Sequence, residues 1–140
     1  MIQKAMGTTI SCAYQENTVS IGCLRSISEI KADSEAVDVT TLDAPDGYRM
    51  YAQGLKDAGE VTLEGFFDDT ATGQALLRIL YLTGTAVPFT VTFPDGAAFT
   101  FSAFVRSYAV GAAEVDQVIG FTAVLRITGG ITQAEPQEDE

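Results

Sequence analysis

The sequence predicts a mainly β fold: an antiparallel β-sandwich or open barrel with one flanking helix and a long inter-strand loop. Three observations predict it. Segment after segment alternates apolar and polar residues at period 2, the pattern of antiparallel strands with one buried face. One stretch, "DDTATGQALLRILYLTG" from Asp68 to Gly84, changes to period 3.6. "PDG" at 94–96 joins two alternating runs, and Asp-Gly accepts the positive φ of a tight hairpin.

The elements follow in order. "GTTISCAY" and "VSIGCL" read as short strands around "QENT". A two-residue turn at Asn17-Thr18 would set Cys12 opposite Cys23, the placement of a cross-strand disulfide. The start of the chain lacks the apolar core of a signal peptide, so a reducing cytosol is expected, which favours two small buried thiols. "EAVDVTTL" is the next strand, with Val37, Val39 and Thr41 on one face. A connection from Asp43 to Gly59 shows no strand alternation. "GEVTLEGFF" then puts Val61 and Leu63 on one face and Glu60, Thr62 and Glu64 on the other.

The helix is expected over about 70–83, with Gly73, Leu76, Leu77 and Leu80 on its buried face and Ile79 beside them. Asp69 or Thr70 suits its N-cap and Gly84 its C′ position. It is too short to stand alone and must pack on a sheet. "VPFTVTF" turns Phe89, Val91 and Phe93 inward. "AAFTFSAFVRSYAV" returns with Phe99, Phe101, Ala103 and Val105 inward and Thr100, Ser102, Phe104 and Arg106 opposite. After "GAAEVD", the strand "QVIGFTAVLRIT" carries Ile119, Phe121, Ala123, Leu125 and Ile127 on one face. About seven strands and one helix result, as a single domain over 1–132. The acidic segment 133–140, "QAEPQEDE", reads as a flexible tail.

Composition removes several function classes. Eight basic against nineteen acidic residues give a net charge of −11, the wrong sign for gripping nucleic acid. There is no histidine, which removes the commonest general base and metal ligand. No apolar run is long enough for a membrane-spanning helix. The carboxylate pairs Asp38/Asp43, Glu60/Glu64 and Asp68/Asp69 are the remaining acid–base candidates. Glu60 and Glu64 mark a polar strand face, and Asp68 and Asp69 sit where a helix N-terminus favours negative charge. No catalytic, cofactor or metal site is expected, and the chain does not read as an enzyme.

The connection 43–59 is longer than a compact domain needs, and such loops are functional or disordered. Tyr48, Met50, Tyr51 and Leu55 are costly to leave in water, which argues against disorder. With Arg49 and Lys56 they form the candidate interface, because Tyr, Met and Arg are enriched where proteins meet. Tyr48, Tyr51, Ala52 and Leu55 also fall at helical spacing, so a helical turn covering its own core is the competing reading. Gly47, Gly54 and Gly59 weaken that reading.

Three stretches, in this order and spacing, carry a resemblance: "DVTTLD" at 38–43, "GLKDAGEVTLEG" at 54–65 and "TFPDGAAFTF" at 92–101. Over about Gly7 to Gly130 the chain resembles the major tail tube proteins of long-tailed phages. The resemblance implies a β-sandwich with a flanking helix. It implies subunits in hexameric rings that stack into a tube, and a connection after "DVTTLD" that reaches the adjacent ring. It further implies an acidic lumen through which viral DNA passes without specific binding. Glu60, Thr62 and Glu64 are the candidate lumen face. The implied partners are other copies of the chain and tape-measure, tail-terminator and tail-tip proteins; the implied location is the virion tail, after synthesis in the host cytoplasm. Arg106 and Arg126 depart from an all-acidic wall and would reach the lumen or pair with acids at a subunit seam. Other readings are a ring-forming tail-end or baseplate protein, the tube of a contractile injection system, or a small-ligand β-barrel.

Overall fold

Alternation converts directly into a sheet. The computed structural model describes residues 3–4, 6–68, 70, 72–111, 113 and 115–134. Seven strands form one antiparallel sheet in the order β2-β1-β7-β8-β9-β6-β3. These are β1 (Thr9–Tyr14), β2 (Asn17–Ser20), β3 (Leu24–Ile27), β6 (Glu60–Phe66), β7 (Val87–Thr92), β8 (Ala98–Val110) and β9 (Gly120–Ala134). The remaining two, β4 (Asp33–Asp38) and β5 (Tyr51–Asp57), pair only with each other. The architecture is a curled half-barrel, the open form of the expected fold.

The long strands β8 and β9 let one sheet do the work of two. Residues 98–103 of β8 pair with β7 and residues 120–126 of β9 pair with β6, at opposite ends of the β8–β9 ladder. Between Phe101 and Ala103 the register shifts, opposite the stretch from Ile127 to Ile131, and Gly129 there has a φ of 95°. A bulge bends a strand and increases its twist. The corner folds the β7-β1-β2 half toward the β6-β3 half.

Helix α1 (Thr72–Thr83) lies against the sheet and fills the concave side with Leu76, Leu77 and Leu80. Each such side chain contributes roughly 1.5–3 kcal/mol by leaving water. Across from it sit Ile10, Val61, Leu63, Phe89, Phe101, Phe121 and Leu125, all buried. Gly73 is required by contact: a Cβ there would stand 2.6 Å from the Cα of Ile21. Gly84, at φ 69°, ends the helix by donating its N–H to Leu80 O at 2.9 Å. At the other end, Asp68 Oδ1 accepts from the Thr70 N–H (3.0 Å) and hydroxyl (2.6 Å). Asp69, the other expected cap, lies outside the described residues.

Four expectations change. The first turn is at Gln15-Glu16, both at positive φ (49° and 68°) as a type I′ turn requires, and not at Asn17-Thr18. That register sets Cys12 opposite Val19, so Cys12 is buried, Cys23 is exposed, and both are free. Ile119 precedes β9 and is exposed instead of facing inward. A register shift between Val105 and Ser107 reverses the alternation of β8, so Tyr108 turns in to meet the edge of Phe121 at 5.5 Å. Strand β9 also runs through Gln133 and Ala134, while 135–140 lie outside the described residues.

A candidate assembly surface

The connection 43–59 is not a loop without strands. Its second half is β5, paired antiparallel to β4, and together they make a two-stranded arm. The arm's far end is tied locally. Thr40 Oγ1 accepts the Met50 N–H at 2.7 Å, and Val39 N–H donates to Met50 O at 2.9 Å. Pro45–Gly47 form a single 3-10 turn, entered with Asp46 at φ 55°. The competing reading of a helical turn over its own core therefore fails.

One face of the arm brings together Val37, Val39, Met50 and Ala52, since Val37 faces Ala52 and Val39 lies beside Met50. Asp38, paired with Arg49 at 3.3 Å, and Gln53, bonded to Ser34 Oγ at 3.0 Å, belong to the other face. Every residue of β4 is exposed, and of β5 only Gly54 is partly covered. Tyr48 is 74% exposed, Tyr51 58% and Leu55 81%. The candidate residues Tyr48, Arg49, Met50, Tyr51, Leu55 and Lys56 thus share one projecting element, none of them in the core. Sequence reading placed Val37 and Val39 on one strand face but did not join them or Leu42 to the candidate interface; all three are exposed on the same element.

At its root the arm is clamped to the body. Arg126 on β9 reaches both carboxylate oxygens of Asp57, at 2.9 and 3.1 Å. Asp57 Oδ1 also accepts the Gly59 N–H at 2.8 Å, and Gly59 O accepts the Ile127 N–H at 3.0 Å. These bonds, the Gly59 N–H first and Arg126 second, hold the Asp57 carboxyl below the ordinary aspartate range. The Thr40 hydroxyl and N–H, with Arg49 beside them, do the same for Asp38.

Glu60, Thr62 and Glu64 share the outer face of β6, as expected, with Thr122, Val124 and Arg126 of β9 opposite. Both departing arginines are on this side of the sheet and both are paired within the subunit. Arg106 Nε meets Glu60 Oε1 at 2.8 Å, reaching over β9 from the bulge in β8. Arg126 is spent on Asp57. Glu64 accepts from Ser26 Oγ at 3.4 Å.

A further residue was invisible in the sequence. Gln74, polar on a helix face of leucines, is buried, and its Nε2 donates to Phe66 O (2.9 Å) and Gly22 O (3.3 Å). Its Oε1 accepts the Asp68 N–H at 3.0 Å. It pins α1 to the end of β6. Among the described residues no group of acidic and cysteine side chains could hold a metal ion, and no helix is long and apolar enough to cross a membrane.

The geometry on the described residues is thus a curled sheet, one helix and an exposed apolar arm. The sequence model described as "Lambda phage tail tube protein, TTP" matches residues 3–134. The chain belongs to the lambda phage tail tube protein family. Its role is structural, as a tail tube protein. No curated protein matches it. Among solved structures, a chain from the virion of a native gene transfer agent particle is similar at 22% identity, with TM-score 0.79 over 96% of this chain and 100% of that one. A chain of the SPP1 tail tube is 14% identical, with TM-score 0.69 over 97% of this chain and 81% of that one. A chain of the six-fold symmetrised anti-feeding prophage baseplate is 12% identical, with TM-score 0.74 over 99% and 100%. At these identities the structures establish the shared fold of this tail tube family member.

Proposed function

We propose that the chain is the repeating subunit of a tail tube, six copies to a ring, with rings stacked into a conduit for DNA. The observation that carries this is the arm: a two-stranded ribbon and its tip that leave Val37, Val39, Leu42, Tyr48, Met50, Tyr51 and Leu55 exposed. A lone two-stranded hairpin is at best marginally stable, so the arm's large apolar side chains call for a second copy to cover them. Six-fold symmetry is supported by family membership together with the C6 symmetry of a gene transfer agent tail of the same fold. Tyr48, Arg49, Met50, Tyr51, Leu55 and Lys56 are the inter-ring contact in this reading, and Glu60, Thr62 and Glu64 face the lumen.

The −11 charge suits passage of DNA without adhesion, and pairing Arg106 and Arg126 with acids supports the same point. No catalysis is part of the role. Tape-measure, tail-terminator and tail-tip proteins are the other partners it implies, in the virion tail. Electron microscopy of concentrated protein at low and high salt tests the reading, since salt screens the self-repulsion. Rings or tubes, more abundant at high salt, are expected; a strict monomer at millimolar protein in both conditions contradicts it. DNA anisotropy near physiological salt is expected to show no binding, and micromolar affinity would oppose the conduit.

A further inference from the structure

The molecule has a second exposed apolar surface, and the register fixes where it lies. Strand β6 starts at the arm root, Asp57 to Glu60, and ends at Phe66. Phe66 pairs with Gly120 at the start of β9, Phe67 donates its N–H to Ile119 O at 2.8 Å, and Gly111, just past Val110, donates to Gly120 O at 2.7 Å. Phe66, Phe67, Val110, Val118 and Ile119 are therefore gathered at one end of the β8-β9-β6 half, and all are exposed, Val118 at 67%. The arm leaves from the other end, about 20 Å away at roughly 3.3 Å per strand residue. This rim lies apart from both the arm and the face bearing Glu60, Thr62 and Glu64, apart from Phe66, which closes the row.

We infer that the Phe66–Phe67–Val110–Val118–Ile119 rim is the receiving surface for the arm of a second copy of this chain in the adjacent ring. The inference rests on the inter-ring reading of the arm and supplies the surface that reading leaves open. Three observations favour a second copy as the occupant. The two surfaces lie at opposite ends of the same strands, so joining arm to rim is a head-to-tail contact, and such contacts repeat into open filaments instead of closing. A tube, the assembly of this family, is an open repeat. The arm's six- and seven-residue strands reach about 20 Å from the root, as long as the span of β6 between the arm root and the rim. Both surfaces are apolar, and the arm supplies Leu42, Tyr48 and Met50 near its far end to fill against the two phenylalanines and the valines.

The test pairs two broken proteins. One carries Tyr48→Ser and Met50→Ser, with an intact rim; the other carries Val110→Lys and Val118→Lys, with an intact arm. All four positions are exposed, and melting curves verify that each variant folds. Neither variant alone is expected to stack. Mixed one to one, they should form a particle of twice the mass of either alone that grows no further with concentration, because one good arm meets one good rim. A mixture that stays at the single mass overturns the inference, as does a rim variant that forms tubes normally. An arm variant that still forms tubes instead removes the inter-ring reading beneath it. Independently of assembly state, a photo-crosslinking residue at Val118 in concentrated wild-type protein should attach to residues 42–55 of another copy. Attachment elsewhere, or to a different protein in particles, overturns the inference.

Discussion

The body and the arm are built from the same kinds of residue and are covered in opposite ways. Strand β6 reads "EVTLEGF", and its apolar members Val61 and Leu63 are fully buried; β5 reads "YAQGLKD", and its Tyr51 and Leu55 stand mostly in water. Strand β6 is paired on both sides, by β3 and β9, and β5 on one side, by β4. What separates them is the third layer. The β6 half is backed by α1 and the rest of the curled sheet, whereas among the described residues no core residue belongs to the arm. Hydrogen-bonded strands do not by themselves bury side chains, so a ribbon of apolar residues outside the body stays exposed in the single subunit.

That contrast can be broken most severely in the body. Leu80 is fully buried under the sheet. Leu80→Ala is expected to cost about 2–5 kcal/mol, a fall on the order of 10 °C in monomer melting temperature. A drop under about 2 °C would mean that packing by α1 is not what distinguishes the body from the arm.

Acid separates the two regions by a different route. Asp57 at the arm root and Asp38 within the arm are both held below the ordinary aspartate value of 3.8. A depressed folded pKa gives stability that is present above the unfolded value and is lost as pH falls through the folded one. Amide protection in 33–57 is therefore expected to fall below about pH 3.8 while the β8–β9 core keeps its own. Simultaneous loss in both regions would show that the carboxylates do not hold the arm.

The smallest effect on folding belongs to the polar face. Glu64→Lys is expected to leave melting nearly unchanged, since surface charge pairs contribute about 0–1 kcal/mol. In assembled particles it should slow DNA exit by placing cations along the conduit. Unchanged ejection would mean that Glu60, Thr62 and Glu64 face elsewhere.

The sequence made the body legible because its alternation reports burial, and burial there is complete within one chain. Strands β6, β7 and most of β8 and β9, the helix face and the "PDG" turn were all readable for that reason. Bulges carry no residue signature, so Tyr108 and the reach of Arg106 over β9 were not. Gln74 was hidden because its three hydrogen bonds go to backbone groups outside the helix, which only the folded chain brings around it. The arm's composition reads as that of an interface, yet its strand did not announce itself. With neither face covered, nothing enforces period 2, and the register shift near Gly54 and Leu55 erases what remains.

The central claim is that the arm is covered by another copy and not by its own subunit. Arg49→Ala with Tyr51→Ala tests it most directly. Interface anchors of these types commonly cost 2 kcal/mol or more when truncated. Even roughly 1 kcal/mol per subunit, repeated six times, removes about 6 kcal/mol per ring junction, more than four decades in association. The measurement is monomer melting temperature beside electron microscopy of concentrated protein. The account predicts melting within about 2 °C of the parent and no tubes. A large fall in melting temperature, or normal melting with normal tubes, would contradict it.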